Sequence, residues 1–311
     1  MKMKVGRFFF PNALESGIPG TEVKPIADAH QSFFEFSLGQ WSLHHHLFEN
    51  KISNLDFPEI AREKFNIGVV EYVNQFFMDK AEDSKYLNEL LKRCRDNGVK
   101  NHLIMCDNEG PLADVDSKKR AEAVENHHKW IEAAYYLGCS TIRVNTFGEG
   151  NSDEVKSAAV ESLSELSEYA EQTGINIIVE NHGGYTSDGL WLQDLMKKVN
   201  KPNVGTLPDF GNFCTKRNGK TIWDGECIEE YDRYKGVMEL MPFAKGVSAK
   251  AMQFDEAGNC VETDFEKMMR IVKESGFHGY VGIEYSGKSS ADEEEGIRLT
   301  KKLIQKVSQG L

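Results

Sequence analysis

Three separate apolar runs of the 311-residue chain each end in an acidic residue. Glu180 ends the first run and has His182 two positions beyond it. Asp209 follows the second run, and Glu284 ends the third. If the runs are parallel strands of one sheet, the three carboxylates meet at one edge, where they repel each other unless a cation or a proton lies among them. The pattern therefore points to a divalent-cation site, an acid–base site, or both.

The ligand types limit the choice of cation. Carboxylate oxygens suit Mg²⁺ or Mn²⁺, whereas an added imidazole favours Mn²⁺, Zn²⁺ or Co²⁺. Each acid taken alone could equally cap a helix or pair with a lysine. The matching position of all three, directly after apolar runs, favours a shared site.

The elements that must position these acids follow a regular alternation. From about residue 33, short apolar runs rich in β-branched residues alternate with longer amphipathic stretches, which is typical of βα units around a parallel sheet. The predicted strands are 33–38, 68–73, 101–106, 141–145, 175–180, 204–208, 246–250 and 280–285. The predicted helices are 86–97, 118–137, 154–173, 188–199, 265–275 and 292–307.

Eight strands with intervening helices predict an α/β fold, the (β/α)₈ TIM barrel, in which strand ends meet at one mouth. An open dinucleotide-binding sheet should carry GxGxxG after its first strand, but the sequence there is QWSLH over residues 40–44. We expect one barrel domain over residues 33–311 and an N-terminal extension over residues 1–32. The apolar stretch at residues 8–10 is too short for a signal peptide or a membrane span.

Composition narrows the class of partner. A net charge of −12 and a pI near 5.3 leave little basic surface for nucleic acid or an anionic membrane. Six cysteines without a CxxC pair predict neither a thiolate zinc site nor a disulfide framework, so we expect reduced thiols and a cytoplasmic protein.

Several segments together resemble the sugar phosphate isomerase/epimerase family, the xylose-isomerase-like barrels. The segments are FSLGQWSLH at 36–44, VEYVNQFF at 70–77, GCSTIRVN at 138–145, ENHGG at 180–184, GTLPDFGNF at 205–213, SAK at 248–250 and GYVGIEY at 279–285. The resemblance spans about residues 33–287. It depends on the combination, since each segment alone is weakly specific.

The resemblance implies a metal bound by four side chains at the ends of strands five to eight. Matched onto this chain, the positions are Glu180, Asp209, residue 248 and Glu284. The family pattern on the seventh strand is His-x-Lys, whereas this chain has serine at 248. A serine hydroxyl is a poor substitute for imidazole, so His182 or water is expected to fill that ligand position.

The resemblance also implies the chemistry. Glu180 and Glu284 would form the acid–base pair that moves a proton at a carbon next to a carbonyl, with a metal polarising that carbonyl. Candidate substrate contacts near the strand ends are His182, Lys250, Asn212, Arg143, Asn145 and His44. Lys250 and Arg143 could equally neutralise the acids, and Glu71 could face either the barrel or the helices.

The histidines at 44–46 and 127–128 are weaker candidates for the site. Consecutive side chains on a strand alternate in direction, so of His44, His45 and His46 only the first is expected in the pocket. His127 and His128 lie within a predicted helix, and we expect them on its surface or in helix packing.

Three alternatives to a sugar isomerase or epimerase remain at this point. A 3-keto-sugar lyase would use the same barrel and the same first deprotonation. A phosphodiesterase like the AP endonucleases would need more histidine ligands and a basic DNA face. A non-catalytic sugar-binding barrel would not need three mutually repelling acids. The expected partner is a small carbohydrate or sugar phosphate, and a homo-oligomer is compatible with the sequence.

Overall fold

Eight parallel strands form a nearly closed barrel in the computed structural model, which describes residues 32–311. The barrel strands are β1 (Phe34–Gly39), β2 (Val69–Val73), β3 (Lys100–Met105), β4 (Thr141–Val144), β5 (Asn176–Glu180), β6 (Val204–Leu207), β9 (Val247–Ala251) and β10 (Gly279–Tyr285). Their order around the sheet is β6-β5-β4-β3-β2-β1-β10-β9. The predicted (β/α)₈ barrel is confirmed, with every strand within two residues of its expected bounds.

The barrel closes between β6 and β9 through isolated bridges instead of a continuous ladder. Thr206 pairs with Ala244, and Asp209 pairs with Ser248. Around the second bridge, the Ser248 amide donates to the Pro208 carbonyl at 2.9 Å, and the Phe210 amide donates to the Ser248 carbonyl at 3.1 Å. This seam therefore passes through two residues of the predicted site.

Nine helices surround the barrel over residues 32–311. They are α1 (His44–Phe48), α2 (Phe57–Phe65), α3 (Ser84–Asp96), α4 (Ser117–Leu137), α5 (Ser152–Ala170), α6 (Gly189–Val199), α7 (Arg233–Leu240), α8 (Phe265–Glu274) and α9 (Ser290–Ser308). All six predicted helices are confirmed. The α4 helix ends as expected at Gly138, whose φ of +73° is easily adopted only by glycine.

Apolar side chains fill the barrel below the mouth. Val73, Leu103, Met105, Ile178 and Leu207 form a cluster inside it, separate from the larger core between strands and helices. Because side chains two apart on a strand share a face, Ile178 in this inner cluster places Glu180 on the inner face at the mouth. The strand period thus explains why an acid can end an apolar strand and still be buried.

A two-stranded hairpin is inserted between β6 and α7 and was not predicted. Its strands are β7 (Cys214–Arg217) and β8 (Cys227–Glu230), which pair antiparallel and stand apart from the barrel sheet. A disulfide joins Cys214 to Cys227. The expectation of reduced thiols is wrong for these two cysteines, because the pairing of β7 with β8 brings residues 13 positions apart to a Cα–Cα distance of 5.8 Å. The other four cysteines are buried and free.

The N-terminal extension expected over residues 1–32 lies outside the described residues, except for Ser32. Among the described helices, none has the length and apolar character needed to cross a membrane.

His102 on β3 gives the fold a pH dependence. Its buried ring lies 4.3 Å from the Tyr280 ring, and its Nδ1 is 2.8 Å from Ser140 Oγ. Burial lowers the pKa of His102 to about 4. An unfolded histidine has a pKa near 6.5, so as the pH falls the unfolded chain takes up this proton first.

The free energy of unfolding should therefore decrease by about 3 kcal/mol from this residue between pH about 6.5 and about 4. We expect His102→Gln to flatten urea-unfolding stability across that window, with His278→Gln, at an exposed histidine, as the matched control. Equal pH profiles for the two variants would contradict the prediction.

Candidate active site

Three buried carboxylates meet at the mouth of the barrel. Glu180 ends β5, Asp209 follows β6, and Glu284 lies near the end of β10. One oxygen of each lies within 4.8 Å of the others. The acids that the sequence analysis grouped are therefore brought together by the strands that carry them.

Backbone and amide groups fix the orientation of Asp209. The Asn181 side chain bonds the Asp209 backbone in both directions, at 2.7 Å to its amide and 3.0 Å to its carbonyl. Asp209 Oδ1 accepts from the amides of Gly211 and Asn212 at 2.8 and 2.9 Å. These bonds occupy Oδ1, so Oδ2 is the oxygen that faces the other acids.

Residues of β9 fill the space between Asp209 and Glu284. Parallel pairing sets Ser248 beside Gly282 and Lys250 beside Glu284. Ser248 Oγ lies 2.7 Å from Asp209 Oδ2 and 3.2 Å from Glu284 Oε2, and its single hydrogen can serve only one of them at a time. Lys250 Nζ donates to Glu284 Oε1.

Arg143 on β4 lies between two acids inside the mouth. Its Nη1 donates to Asp107 Oδ1 at 2.6 Å, and its Nε lies 3.0 Å from Glu180 Oε2 without hydrogen-bond alignment. Asp107 was missed by the sequence analysis. The signal was present, since an acid directly follows the predicted strand 101–106, the same arrangement that identified the other three.

A second line of polar contacts connects β4 to the loop after β5. Asn145 donates to Asp107 Oδ1 at 2.7 Å, and His182 Nδ1 donates to Asn145 Oδ1 at 2.9 Å. Burial first, and then nearby Arg143, lowers the pKa of His182 to about 3. The ring is therefore neutral, with Nε2 as an acceptor. Asn212 donates to Glu180 Oε1 at 3.0 Å.

The pKa values of the three acids are shifted in different directions. Burial, with Glu284 and Asp209 nearby, raises the pKa of Glu180 well above its usual value although Arg143 opposes the rise. Burial likewise raises the pKa of Asp209 to about 6. For Glu284 burial is outweighed by the charge and hydrogen bond of Lys250, which lower its pKa.

The donor set fits a divalent cation. Four carboxylates, including that of Asp107, face only two cationic side chains, Arg143 and Lys250, in this part of the described chain. Glu180 Oε2 is buried and accepts no hydrogen bond from residues 32–311. Unbalanced carboxylate charge and a free buried oxygen are the conditions that a hard cation relieves.

Two predicted site residues lie away from these acids. Glu71 faces the barrel interior below the mouth, where it accepts from Ser37 Oγ at 2.6 Å, and burial raises its pKa to about 7. His44 stacks against Trp41, with ring centroids 4.5 Å apart. Within residues 32–311 it is Trp41, not His44, that lines the central cavity.

The histidine run at 44–46 lies on α1, not on a strand, and has a structural partner. The fully buried Glu293 of α9 accepts from the backbone amides of His45 and His46 and from His46 Nδ1 at 2.7, 3.1 and 2.6 Å. Glu293 therefore anchors the start of α1 to α9. Its carboxylate is occupied by donors that need no metal.

The acids open into a cavity of about 690 Å³. Glu180, Glu284 and the predicted contacts His182, Lys250, Asn212, Arg143 and Asn145 line it together. Asp209 and Ser248 lie beneath. The cavity wall also contains residues that were not predicted, namely Trp41, Gln75, Asp107, Glu109, His127, Phe147 and Trp223. His127, expected on the surface of its helix or in helix packing, is buried, and it also lines the cavity.

Comparison with known proteins agrees with this architecture. Residues 61–306 match the sequence profile of a family described as xylose isomerase-like TIM barrel. No curated protein matches the chain in sequence. Among solved structures, an IolI protein with a bound zinc atom superposes with a TM-score of 0.67 at 17% identity, covering 89% of this chain and 98% of that one.

Two further solved structures are sugar epimerases. D-psicose 3-epimerase from Clostridium cellulolyticum H10, with D-tagatose, gives a TM-score of 0.66 at 11% identity over 88% of this chain and 99% of its own. The 3-keto-D-glucoside 4-epimerase of E. coli gives 0.63 at 12% identity over 88% and 100%. At such identities the likeness shows the shared fold.

Proposed function

Because the chain belongs to the xylose isomerase-like TIM barrel family, we propose that it is a sugar isomerase or epimerase that moves a proton at a carbon next to a carbonyl. One observation carries the proposal. Two buried carboxylates from opposite parts of the sheet order, Glu180 on β5 and Glu284 on β10, line one cavity and approach within 4.8 Å. Two such groups beside the reacting carbon allow one to remove the proton and the other to return a proton.

The polar residues around the acids are suited to hold a small carbohydrate. The Lys250 ammonium has three hydrogens and gives one to Glu284, so it can also donate to a substrate oxygen. His182 Nε2 can accept from a sugar hydroxyl, since Nδ1 is engaged by Asn145. Both groups face the cavity, and together they orient the carbon that loses its proton.

Arg143 supplies a permanent positive charge beside Glu180. Its guanidinium is buried between Asp107 and Glu180, and these acids raise its pKa above the ordinary value, so it stays charged. A fixed positive charge beside Glu180 stabilises the ionised form of that carboxyl, which is the form that accepts a proton.

A divalent metal would be held by Glu180, Asp209 and Glu284, with water in place of the histidine that Ser248 replaces. When bound, such an ion polarises the substrate carbonyl and makes the neighbouring C–H more acidic. Zn²⁺, Mn²⁺, Mg²⁺ and Co²⁺ all suit the donor set.

The test is proton exchange with solvent. We expect the protein, supplied with Mn²⁺, to incorporate deuterium from D₂O at one carbon of at least one sugar in a panel of ketoses, aldoses and their phosphates, followed by NMR. Product analysis then separates isomerisation from epimerisation. A panel without exchange in the presence of each of the four ions would refute the proposed reaction.

A further inference from the structure

The hairpin of β7 and β8 carries a tryptophan over the mouth of the barrel. The Trp223 ring lies 4.6 Å from the His182 ring and 5.9 Å from the Phe147 ring, measured between centroids. Gly183, after β5, has a φ of +93°, and a Cβ there would lie 3.2 Å from the indole. The loop after β5 therefore leaves room for Trp223.

Trp223 borders the cavity yet remains accessible. Its side chain is 48% exposed, although it contacts two aromatic rings and lines the same cavity as Glu180 and Lys250. At about 690 Å³ the cavity lies in the range of roughly 300–1,000 Å³ that holds drug-sized ligands. Trp223 and the two glutamates line the same cavity, so a ligand larger than one sugar ring can contact both.

We propose that Trp223 and Phe147 form an aromatic subsite for the second ring of a disaccharide or glycoside whose first ring is bound at Glu180 and Glu284. The axial C–H groups of a pyranose form an apolar face that packs on an indole, while its hydroxyls point outward into water. The half-exposed position of Trp223 satisfies both requirements. The subsite deepens the proposed function and rests on it.

The hairpin holds the indole in place before any ligand arrives. The disulfide crosses the hairpin from Cys214, at the base of β7, to Cys227, at the end of β8 nearer the tip. Nearer the tip, Arg217 donates to the Gly225 carbonyl at 2.9 Å, and Glu226 donates to Asn218 Oδ1 at 2.8 Å. A loop constrained in this way loses little further freedom when a ring stacks on Trp223, so more of the contact energy appears as affinity.

The test measures binding without turnover. Calorimetric titration of the metal-supplied protein with D-fructose and with the ketose disaccharides lactulose, maltulose and isomaltulose gives Kd for each sugar. We expect a disaccharide to bind the unmodified protein more tightly than D-fructose. Trp223→Ala should weaken that disaccharide about 10-fold but D-fructose less than about twofold, and Trp223→Phe should lie between. Tyr135→Ala, at an exposed aromatic on α4, is the matched control.

Three results would overturn the subsite. They are an unchanged disaccharide Kd in Trp223→Ala, an equal loss for disaccharide and D-fructose, and no disaccharide binding by the unmodified protein. Because Kd does not depend on proton transfer, failure of the exchange experiment with intact disaccharide selectivity would refute the reaction alone.

Discussion

Replacing Glu180 or Glu284 by glutamine is expected to lower kcat/KM for proton exchange by roughly 10³-fold or more, within the range reported for general acid–base groups. Glutamine keeps the shape of the side chain and its hydrogen bonds to Asn212 or Lys250, but it cannot take up a proton at these oxygens. Substrate exchange followed by NMR measures the loss in each variant.

Two controls make this result specific. Glu132→Gln, at an exposed carboxylate of α4, should keep near-normal exchange. Thermal unfolding of each variant separates a lost proton acceptor from a damaged fold, because both glutamates are also ion-paired, one with Arg143 and the other with Lys250. If a folded variant retains near-normal exchange on the true substrate, that residue is not an essential acid or base.

Removing divalent ions is expected to abolish exchange, and adding Mn²⁺ should restore it. Calorimetric titration of the stripped protein with Mn²⁺ and Mg²⁺ should show one saturable but weak site, because position 248 offers a hydroxyl where the family pattern has an imidazole. Ser248→His should tighten Mn²⁺ binding by at least about tenfold, since a nitrogen ligand from β9 would then join the three carboxylates.

Ser248→Ala is the matched control, since it removes the hydroxyl that bridges Asp209 and Glu284 without adding a ligand. Equal tightening in both variants would mean that loss of the serine hydrogen bonds, not a new ligand, changes the affinity. Full exchange activity in chelator, with no saturable binding at millimolar ion, would mean that Lys250 and Arg143 alone supply the positive charge.

The barrel could be predicted from the sequence because its strands are rich in β-branched residues. Along each strand, side chains that face the barrel interior alternate with side chains that face the helices. Ile178 and Glu180 show why the site followed from the same pattern, since alternation places both on the inner face and the strand end places the acid at the mouth. Helix ends such as Gly138 could also be predicted from the local sequence, because glycine commonly ends a helix.

The features that were missed depend on contacts between distant segments. The strands of the hairpin carry charged residues and lack apolar alternation, so only their pairing and the disulfide reveal them. In the sequence His127 looks like an ordinary helical histidine, because its place beside the cavity depends on how α4 packs against the barrel. Glu293 resembles a residue placed for the helix dipole, yet it is fully buried against α1.

The seam between β6 and β9 links the occupancy of the mouth to the integrity of the barrel. The other neighbouring strands in the sheet order pair through ladders of two or more residues, whereas this junction depends on isolated bridges, one of them between Asp209 and Ser248. A ligand that binds both Asp209 and Glu284 connects the two sides of this junction. Asp209 follows β6, and Glu284 belongs to β10, the strand beside β9. By mass action, a ligand that binds only the closed mouth also opposes the separation of β6 from β9.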